Sequence, residues 1–312
     1  MSEYLLNVEN LCQTFVSGRG KNKITVKAVD NVSFGVKPAE TFGLVGESGC
    51  GKTTTGRTII RLYDPTSGNV TFDNQVISGK MTNNLRRYLT DNIAMIFQDP
   101  IESLNPRMTV QEIIGEGLKV RGERDNAVVR EKVVDVLRQV GLNEEHASRY
   151  PHEFSGGQRQ RIGIARAVII QPKMIIADEP VSALDVSIQA QVINLLNDLK
   201  RKMGLTLLFI AHNLSVVKYF SDRVGVMYYG KLVEVARGDD LYKKPLHPYT
   251  RALLSAIPEP NPVTEKTRVR VDYDPERDHD YSVEQPQMYE IEPEHLIYCS
   301  PSELEKYKEM IK

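Results

Sequence analysis

Hydrophobic and polar positions change their period along this chain, and the order of the changes outlines a fold. Near the N-terminus the period is two. Ile24, Val26 and Ala28 alternate with Thr25, Lys27 and Val29, Asp30-Asn31 reads as a turn, and Val32, Phe34 and Val36 resume the alternation, as in an antiparallel pair. Thr41–Val45 is a short apolar strand that runs into a glycine-rich loop. Lys52–Leu62 then lacks proline and suits a helix, with Asp64-Pro65-Thr66-Ser67-Gly68 as its stop.

Between about residues 108 and 142 the period becomes helical. Val110, Ile113, Ile114, Gly117 and Leu118 fall on one face, and Val129, Val133, Val136, Leu137 and Val140 form the stripe of a second helix that stops at Gly141. Alternation of helix and strand then resumes: a helix from about Gly156 to Ile170, a strand at Met174–Ala177, a helix facing inward through Ile188, Val192, Leu195, Leu196 and Leu199, and a strand at Leu205–Ala211. Such alternation predicts an α/β fold with a mainly parallel sheet, carrying a helical insert and, before it, an antiparallel β-region. Pro258, Pro260 and Pro262 predict a linker, and the acidic, proline-broken stretch from Asp272 predicts an appendage rather than core.

Composition narrows the function classes. The 312 residues leave room for about two domains of ordinary size. Forty Lys and Arg against 41 Asp and Glu give a formal charge of −1, without the global basic excess usual in a sequence-independent nucleic-acid binder. The longest apolar runs, such as Leu207–Ala211, fall far short of the ~20 residues that span a bilayer, and the polar start carries no signal-peptide pattern, so a soluble, cytosolic chain is expected. Cys12, Cys50 and Cys299 share no metal-ligand spacing.

Three segments carry chemistry. Gly46-Glu47-Ser48-Gly49-Cys50-Gly51-Lys52-Thr53 has the pattern G-x-x-x-x-G-K-[ST] between a strand and a helix, where backbone N–H groups can converge on phosphates, Lys52 adds a point charge and Thr53 offers a hydroxyl to Mg²⁺. Met174–Ala177 ends in Asp178 and Glu179 at the strand edge a parallel sheet presents to a ligand, which suits Asp178 to hold Mg²⁺ through water and Glu179 to orient and deprotonate an attacking water. Alone, two acids after a strand are an ordinary solvated turn; the phosphate loop upstream gives them a task. In Phe154-Ser155-Gly156-Gly157-Gln158, Ser155 and Gln158 are spaced as a capping box, so the helix N-terminus they define could bind phosphate; an ordinary cap gives no reason for two glycines in its first turn.

With these segments the chain resembles the ATP-binding-cassette transport ATPases over about residues 4 to 257. The signature of that family, L-S-G-G-Q, stands here as FSGGQ, and the order is kept: phosphate loop, Gln98, signature, Asp178-Glu179, Ser182-Ala183-Leu184-Asp185, then His212 after a strand. The resemblance implies a P-loop NTPase core in an ATPase domain over 1–257, with a helical subdomain inserted at about 98–165 and a small extension at 258–312. It implies ATP and Mg²⁺, held by Gly46 through Thr53 and by Thr54, with Phe15 stacked on adenine, Gln98 reaching metal and water, and His212 on the γ-phosphate. In such ATPases two cassettes pair head to tail, so Ser155, Gly156, Gly157 and Gln158 would serve the partner's nucleotide. Cys50, at a helix N-terminus inside the loop, is expected to have a lowered thiol pKa and to react with alkylating reagents unless ATP shields it.

Three longer stretches, Gln98–Arg107, Tyr150–Phe154 and His247-Pro248-Tyr249-Thr250-Arg251-Ala252-Leu253-Leu254, resemble the oligopeptide-permease branch and its F-type ATP-binding subunits. That branch implies a second cassette, a related D-type chain, two transmembrane permease subunits, an extracellular peptide-binding protein acting indirectly, no nucleic acid, and a peripheral position on the cytoplasmic face of the membrane. Some relatives hold iron–sulfur through a cysteine cluster in the tail; only Cys299 occurs here, so no cluster is expected. Dipeptide or metal-chelate import stays open. A soluble cassette acting on nucleic acid or ribosomes fits less well, since there is one phosphate loop and no long coiled coil between Lys52 and Ser155. A non-hydrolysing ATP sensor would fit if Lys52 or Glu179 were absent.

Overall fold

The computed structural model describes residues 3–18, 23–257 and 270–311, so the three linker prolines lie outside the described residues. Strands β1 (Leu6–Ser17), β2 (Ile24–Val36) and β3 (Thr41–Val45) lead into helix α1 (Lys52–Ile59), followed by β4 (Ser67–Phe72) and β5 (Gln75–Val76). Next come α2 (Asn83–Asn92), β6 (Ile93–Ile96), the single turn α3 (Pro100–Ser103), α4 (Val110–Val120), α5 (Asn126–Gln139), α6 (Gly156–Val168), β7 (Met174–Asp178), α7 (Val186–Met203) and β8 (Thr206–Ala211). Last are α8 (Leu214–Lys218), β9 (Arg223–Tyr228), β10 (Lys231–Arg237), α9 (Gly238–Lys243), α10 (Pro248–Ser255), β11 (Gln287–Glu292), β12 (His295–Cys299) and a C-terminal helix, Pro301–Ile311. This is the expected P-loop NTPase-like α/β core with an antiparallel N-terminal sheet, a helical insert and a small C-terminal extension.

The elements divide into two compact units. One takes the chain up to Val36, Thr41–Ser78 and everything from Ala211 onward; the other takes Lys37–Glu40 and Gly79–Ile210. In the first, β1 lies between β2 and β4, antiparallel to both. Beside that sheet β3 pairs parallel with β9, β9 antiparallel with β10, and β10 antiparallel with β12. The two sheets are joined by polar links as well as packing. Asp30 receives Lys231 at 2.8 Å, the buried Arg223 donates to Gly35 O at 2.6 Å, and Phe34 stacks on Phe42 with ring centres 4.9 Å apart.

The expected turn at Asp30-Asn31 is not a turn. β2 runs through it as one strand, and Asn31, at φ 58°, is part of a bulge: Leu11 faces Val32 while Gln13 faces Val29, so β2 carries an extra residue there. Asn10, at φ 50°, sits in a compensating bulge of β1, where Val8 faces Phe34 and Leu11 faces Val32. Alternation alone cannot tell a bulge from a reversal when Asp and Asn favour both. Ile24 and Val26 consequently stay exposed, whereas Val32, Phe34 and Val36 are buried.

In the second unit β6, β7 and β8 form a parallel sheet with β7 in the middle. Every residue of β7 and β8 is buried, which explains their unbroken apolar runs: a parallel sheet is covered on both faces. The insert follows its predicted stripes. Thr109 and Glu112 close a capping box on α4, Asp125 caps α5 through the Ala127 N–H, and Val129, Val133, Val136 and Leu137 are buried. Gly141 ends the pair at φ 73°.

The C-terminal residues are more than an appendage. β12 adds to β10 through Glu234 opposite Ile297 and Val235 opposite Leu296, and Leu246, Ile297, Cys299 and Tyr307 close into a small core of their own. In β11 the acidic Glu290 and Glu292 flank Ile291, and Tyr289 and Ile291 pack against this cluster. Ile297→Ala should therefore lower the unfolding free energy of the full chain by about 2–5 kcal/mol, the usual penalty for emptying a buried aliphatic site, as measured by urea unfolding. An unchanged midpoint would mean that the extension does not stabilise the fold.

Candidate functional site

Fully buried β3 delivers Gly46 to its C-terminal end, and α1 starts at Lys52, so residues 46–51 must turn between them in a tight loop. Two glycines are sterically required. A Cβ at Gly46 (φ 150°) would lie 2.2 Å from Met227 O, and one at Gly51 (φ 107°) 2.1 Å from Ala28 O. Above Gly49 a Cβ would meet nothing, so the loop is packed from below and open at its crown. Lys52 is buried and its ammonium donates to Gly46 O and Glu47 O, each at 2.8 Å, closing the loop on itself. Thr53 and Thr54 sit half-buried in the first turn of α1. This is a concave run of backbone with a cation at its centre, the form in which peptide N–H groups cradle phosphate.

Cys50 corrects an expectation. Its thiol is buried and burial pushes its pKa up, outweighing the nearby Lys52 ammonium that pulls the other way. Proximity to a helix N-terminus lowers a thiol pKa only where water or a cation can still solvate the thiolate.

On the second unit, Asp178 is the fully buried last residue of β7, and Glu179 follows with φ 44°, an unfavourable left-handed conformation for a non-glycine residue. The Glu179 N–H donates to Ile210 O at 2.9 Å, and Ser182 donates through both N–H and hydroxyl to Glu179 O. Its backbone is thus held from both sides while its carboxylate turns out to receive the Gln98 amide at 3.1 Å. Gln98 is exposed on the loop after β6. That loop is braced by Arg166, which lies over Phe97 and donates to Ser103 O at 2.6 Å. Two residues 81 positions apart in sequence, predicted for one reaction, are in hydrogen-bond contact.

The signature turn also takes its expected local form. Ser155 Oγ accepts the Gln158 N–H at 3.4 Å, Gln158 Oε1 accepts the Ser155 N–H at 3.0 Å, and Ser155 and Gly156 are exposed at the start of α6. One glycine has a structural reason that sequence reasoning missed: a Cβ at Gly157 would come within 2.6 Å of Ile188 Cγ2 on α7. Gly156 meets only Leu184 at an ordinary 3.7 Å, so packing does not account for it.

Phe15 stands on β1 partly exposed, its ring edge-to-face with Tyr63 at 5.2 Å, an aromatic neighbour that the sequence reading left out. His212 is exposed in the stretch between β8 and α8, next to Asn213, which caps α8. A further residue was overlooked as functional although its segment had been singled out. Tyr249 is buried and its hydroxyl accepts the N–H of Glu47, inside the phosphate loop, at 3.1 Å. Burial holds its phenol pKa well above the ordinary range, so it stays protonated. Neighbouring His247 is kept neutral, its pKa pushed down to about 3 by burial and by His279.

Comparison with known proteins places this geometry in context. A family model described as ABC transporter matches residues 29–182, and one described as oligopeptide/dipeptide transporter, C-terminal region, matches 233–281. The chain is 55% identical over 308 residues to the oligopeptide transport ATP-binding protein OppF of Bacillus subtilis, covering 98% of this chain and 100% of the relative. It is 52% identical to the oligopeptide transport ATP-binding protein AmiF of Streptococcus pneumoniae, covering 99% of each. It is 50% identical to the dipeptide transport ATP-binding protein DppF of Lactococcus lactis, covering 97% of this chain and 96% of the relative. Among solved structures it is similar to the dimeric ATP-binding cassette MJ0796 in a post-hydrolysis state bound to ADP and Pi, with TM-score 0.67, 29% identity, and coverage of 74% of this chain and 98% of that one. It is also similar to cbiO1 of Clostridium perfringens, part of the cbiONQ transporter complex, with TM-score 0.67, 25% identity, and coverage of 78% and 92%.

The burial of Cys50 is open to a direct check. At pH 8 an alkylating reagent should label the partly exposed Cys12 well before Cys50, and Cys50 should gain reactivity only above the ordinary thiol range of about 8.5. Mass spectrometry of quenched samples across a pH series reads both sites; labelling of Cys50 as early as Cys12 would contradict the buried, protonated thiol.

Proposed function

This chain belongs to the ABC transporter family, and from that premise we propose that it is the ATP-binding and ATP-hydrolysing subunit that energises an importer of oligopeptides. The observation that carries the reading is the Gln98–Glu179 contact, in a chain that also has a complete phosphate loop and is alike over nearly its whole length to relatives named as oligopeptide transport ATP-binding proteins. The match to DppF of Lactococcus lactis supports dipeptides as a second cargo class. We read residues 1–257 as the ATPase domain, 98–165 as its helical insert and 258–312 as the extension.

The roles follow from the chemistry of each group. Gly46 through Thr54 cradle the phosphates of ATP, with Lys52 exchanging its two loop carbonyls for phosphate oxygens, and Phe15 beside Tyr63 offers a ring to adenine. Glu179, its backbone fixed and its carboxylate already hydrogen-bonded, orients the attacking water and takes its proton, while Gln98 aims that carboxylate. His212 donates to the γ-phosphate. Thr53, Asp178 and Gln98 offer the hard oxygen atoms that Mg²⁺ prefers, and among the described residues no group of three His, Cys, Asp or Glu forms a cage of its own. That donor chemistry fits a cation arriving with its nucleotide. Bound there, Mg²⁺ would neutralise charge on the β- and γ-phosphates.

Ser155, Gly156, Gly157 and Gln158 direct a helix N-terminus outward, and in the proposed head-to-tail pairing they act on the partner's ATP. That the similar MJ0796 cassette is dimeric supports the pairing of two cassettes. The partners are a related D-type cassette and two transmembrane permease subunits, with an extracellular peptide-binding protein acting at a distance. The subunit sits on the cytoplasmic face of the membrane; among the described residues no helix is long and apolar enough to cross it.

Three substitutions separate these roles. Glu179→Gln should retain ATP binding while slowing hydrolysis by ~100-fold or more, because it removes a base and leaves the cradle intact. Lys52→Ala should weaken nucleotide binding itself. Ser155→Arg should leave ATP binding by the isolated subunit nearly unchanged yet reduce turnover of the assembled transporter by roughly 100-fold. Nucleotide titration of each purified variant, paired with phosphate release by the reconstituted complex, reads all three. Turnover near wild type for Glu179→Gln would remove it as the base.

A further inference from the structure

The region 233–281, which the family comparison sets apart, reaches the phosphate loop through the buried Tyr249 hydroxyl. The connection can be followed atom by atom within one unit. Glu234 is a fully buried carboxylate on β10; it accepts the N–H groups of Leu246 and His247 at 2.9 and 3.0 Å, and His295 of β12 at 2.8 Å. Those bonds fix the start of α10, where His247 Nδ1 accepts the Tyr249 N–H at 3.1 Å. Tyr249 is then wedged by Tyr228, at 4.4 Å between ring centres, and by Tyr273, at 5.5 Å. Its hydroxyl receives the Glu47 N–H.

Glu47 is the first residue after the required Gly46, and its peptide is held at both ends. Its N–H is taken by Tyr249, and its carbonyl accepts Lys52 Nζ and the Cys50 N–H. When Lys52 leaves that carbonyl for a phosphate, the Tyr249 bond is what keeps the entry of the loop in register. We infer that Tyr249 is a positioning residue for nucleotide binding, through which the C-terminal extension sets the shape of the phosphate loop. The inference rests on reading residues 46–53 as a nucleotide cradle. It adds that a part of the chain remote in sequence from that cradle tunes its affinity.

Tyr249→Phe removes the acceptor and little else, taking from the Glu47 N–H the partner that holds the entry of the loop. Fluorescent Mg–ATP analogue titrated into the full chain should bind about tenfold more weakly than to wild type. Tyr307→Phe, in the extension and not hydrogen-bonded to Glu47, is the control and should bind as wild type does, whatever either change does to the unfolding midpoint. A merely structural role would lower the midpoint of Tyr249→Phe and spare the affinity. Equal affinity of Tyr249→Phe and wild type overturns the inference; a wild type that binds no better than Lys52→Ala overturns the nucleotide reading instead. Hydrogen exchange at the Glu47 amide of the nucleotide-free wild type tests the bond without any variant. Strong protection is expected, and exchange at the rate of an unstructured chain would overturn the proposal even if Tyr249→Phe failed to fold.

Discussion

Two carbonyl oxygens, Met227 O and Ala28 O, stand where the Cβ atoms of residues 46 and 51 would otherwise be. The phosphate loop is possible because both positions are glycine, and it has its shape because those carbonyls belong to β9 and β2, strands that are themselves locked. β9 is paired on both sides, by β3 and β10, and β2 is tied to the β9–β10 hairpin through the Asp30–Lys231 ion pair and the Asp30 N–H to Gly230 O bond. A cradle for an anion must keep its N–H groups turned outward and unspent, so its rigidity has to come from beneath. Here beneath means two sheets meeting under one loop.

Glu179 answers a comparable demand by strain. In the proposed reaction its carboxylate faces the attacking water and gains nothing from a flexible backbone; three bonds to Ile210 and Ser182 hold that backbone at φ 44°, where a non-glycine residue loses of order 1 kcal/mol or more. The full burial of β7 and β8 supplies the rigidity that tolerates this. The signature turn shows how a motif can serve two purposes: Gly157 is small because Ile188 leaves no room, whereas Gly156 lies exposed with no such neighbour.

Most of the architecture was legible because each signal was local. The buried strands wrote themselves as unbroken apolar runs, the insert as two clean helical stripes, the signature helix as a capping box, and the phosphate loop as a fixed spacing of glycines and lysine. Where reading failed, the deciding partner was distant in sequence. Asp30-Asn31 has turn chemistry, and only the pairing with β1 makes it a bulge. Cys50 sits at a helix N-terminus, yet its protonation follows burial that no neighbouring residue reveals. The acidic tail hid Ile297 and Cys299, whose apolar partners, Leu246 among them, lie in a different part of the chain. Tyr249 falls in a segment that was noticed for its resemblance, but its contact with Glu47 joins residues 202 positions apart.

The pairing of β12 with β10 bears on how the protein is made. A ribosome releases β10 first, and until His295–Cys299 has emerged that strand has one flank with its backbone groups unpaired and its Glu234 carboxylate without the His295 ring. During that interval the nascent chain carries an open strand edge, the kind of surface on which other unfinished chains pair. The same late arrival means that α10, and with it the hydroxyl beneath the phosphate loop, is braced only when synthesis is nearly complete. Premature termination before residue 295 would thus leave a product with every sequence motif for ATP in place and an adhesive flank, a substrate for chaperones and proteases rather than for assembly.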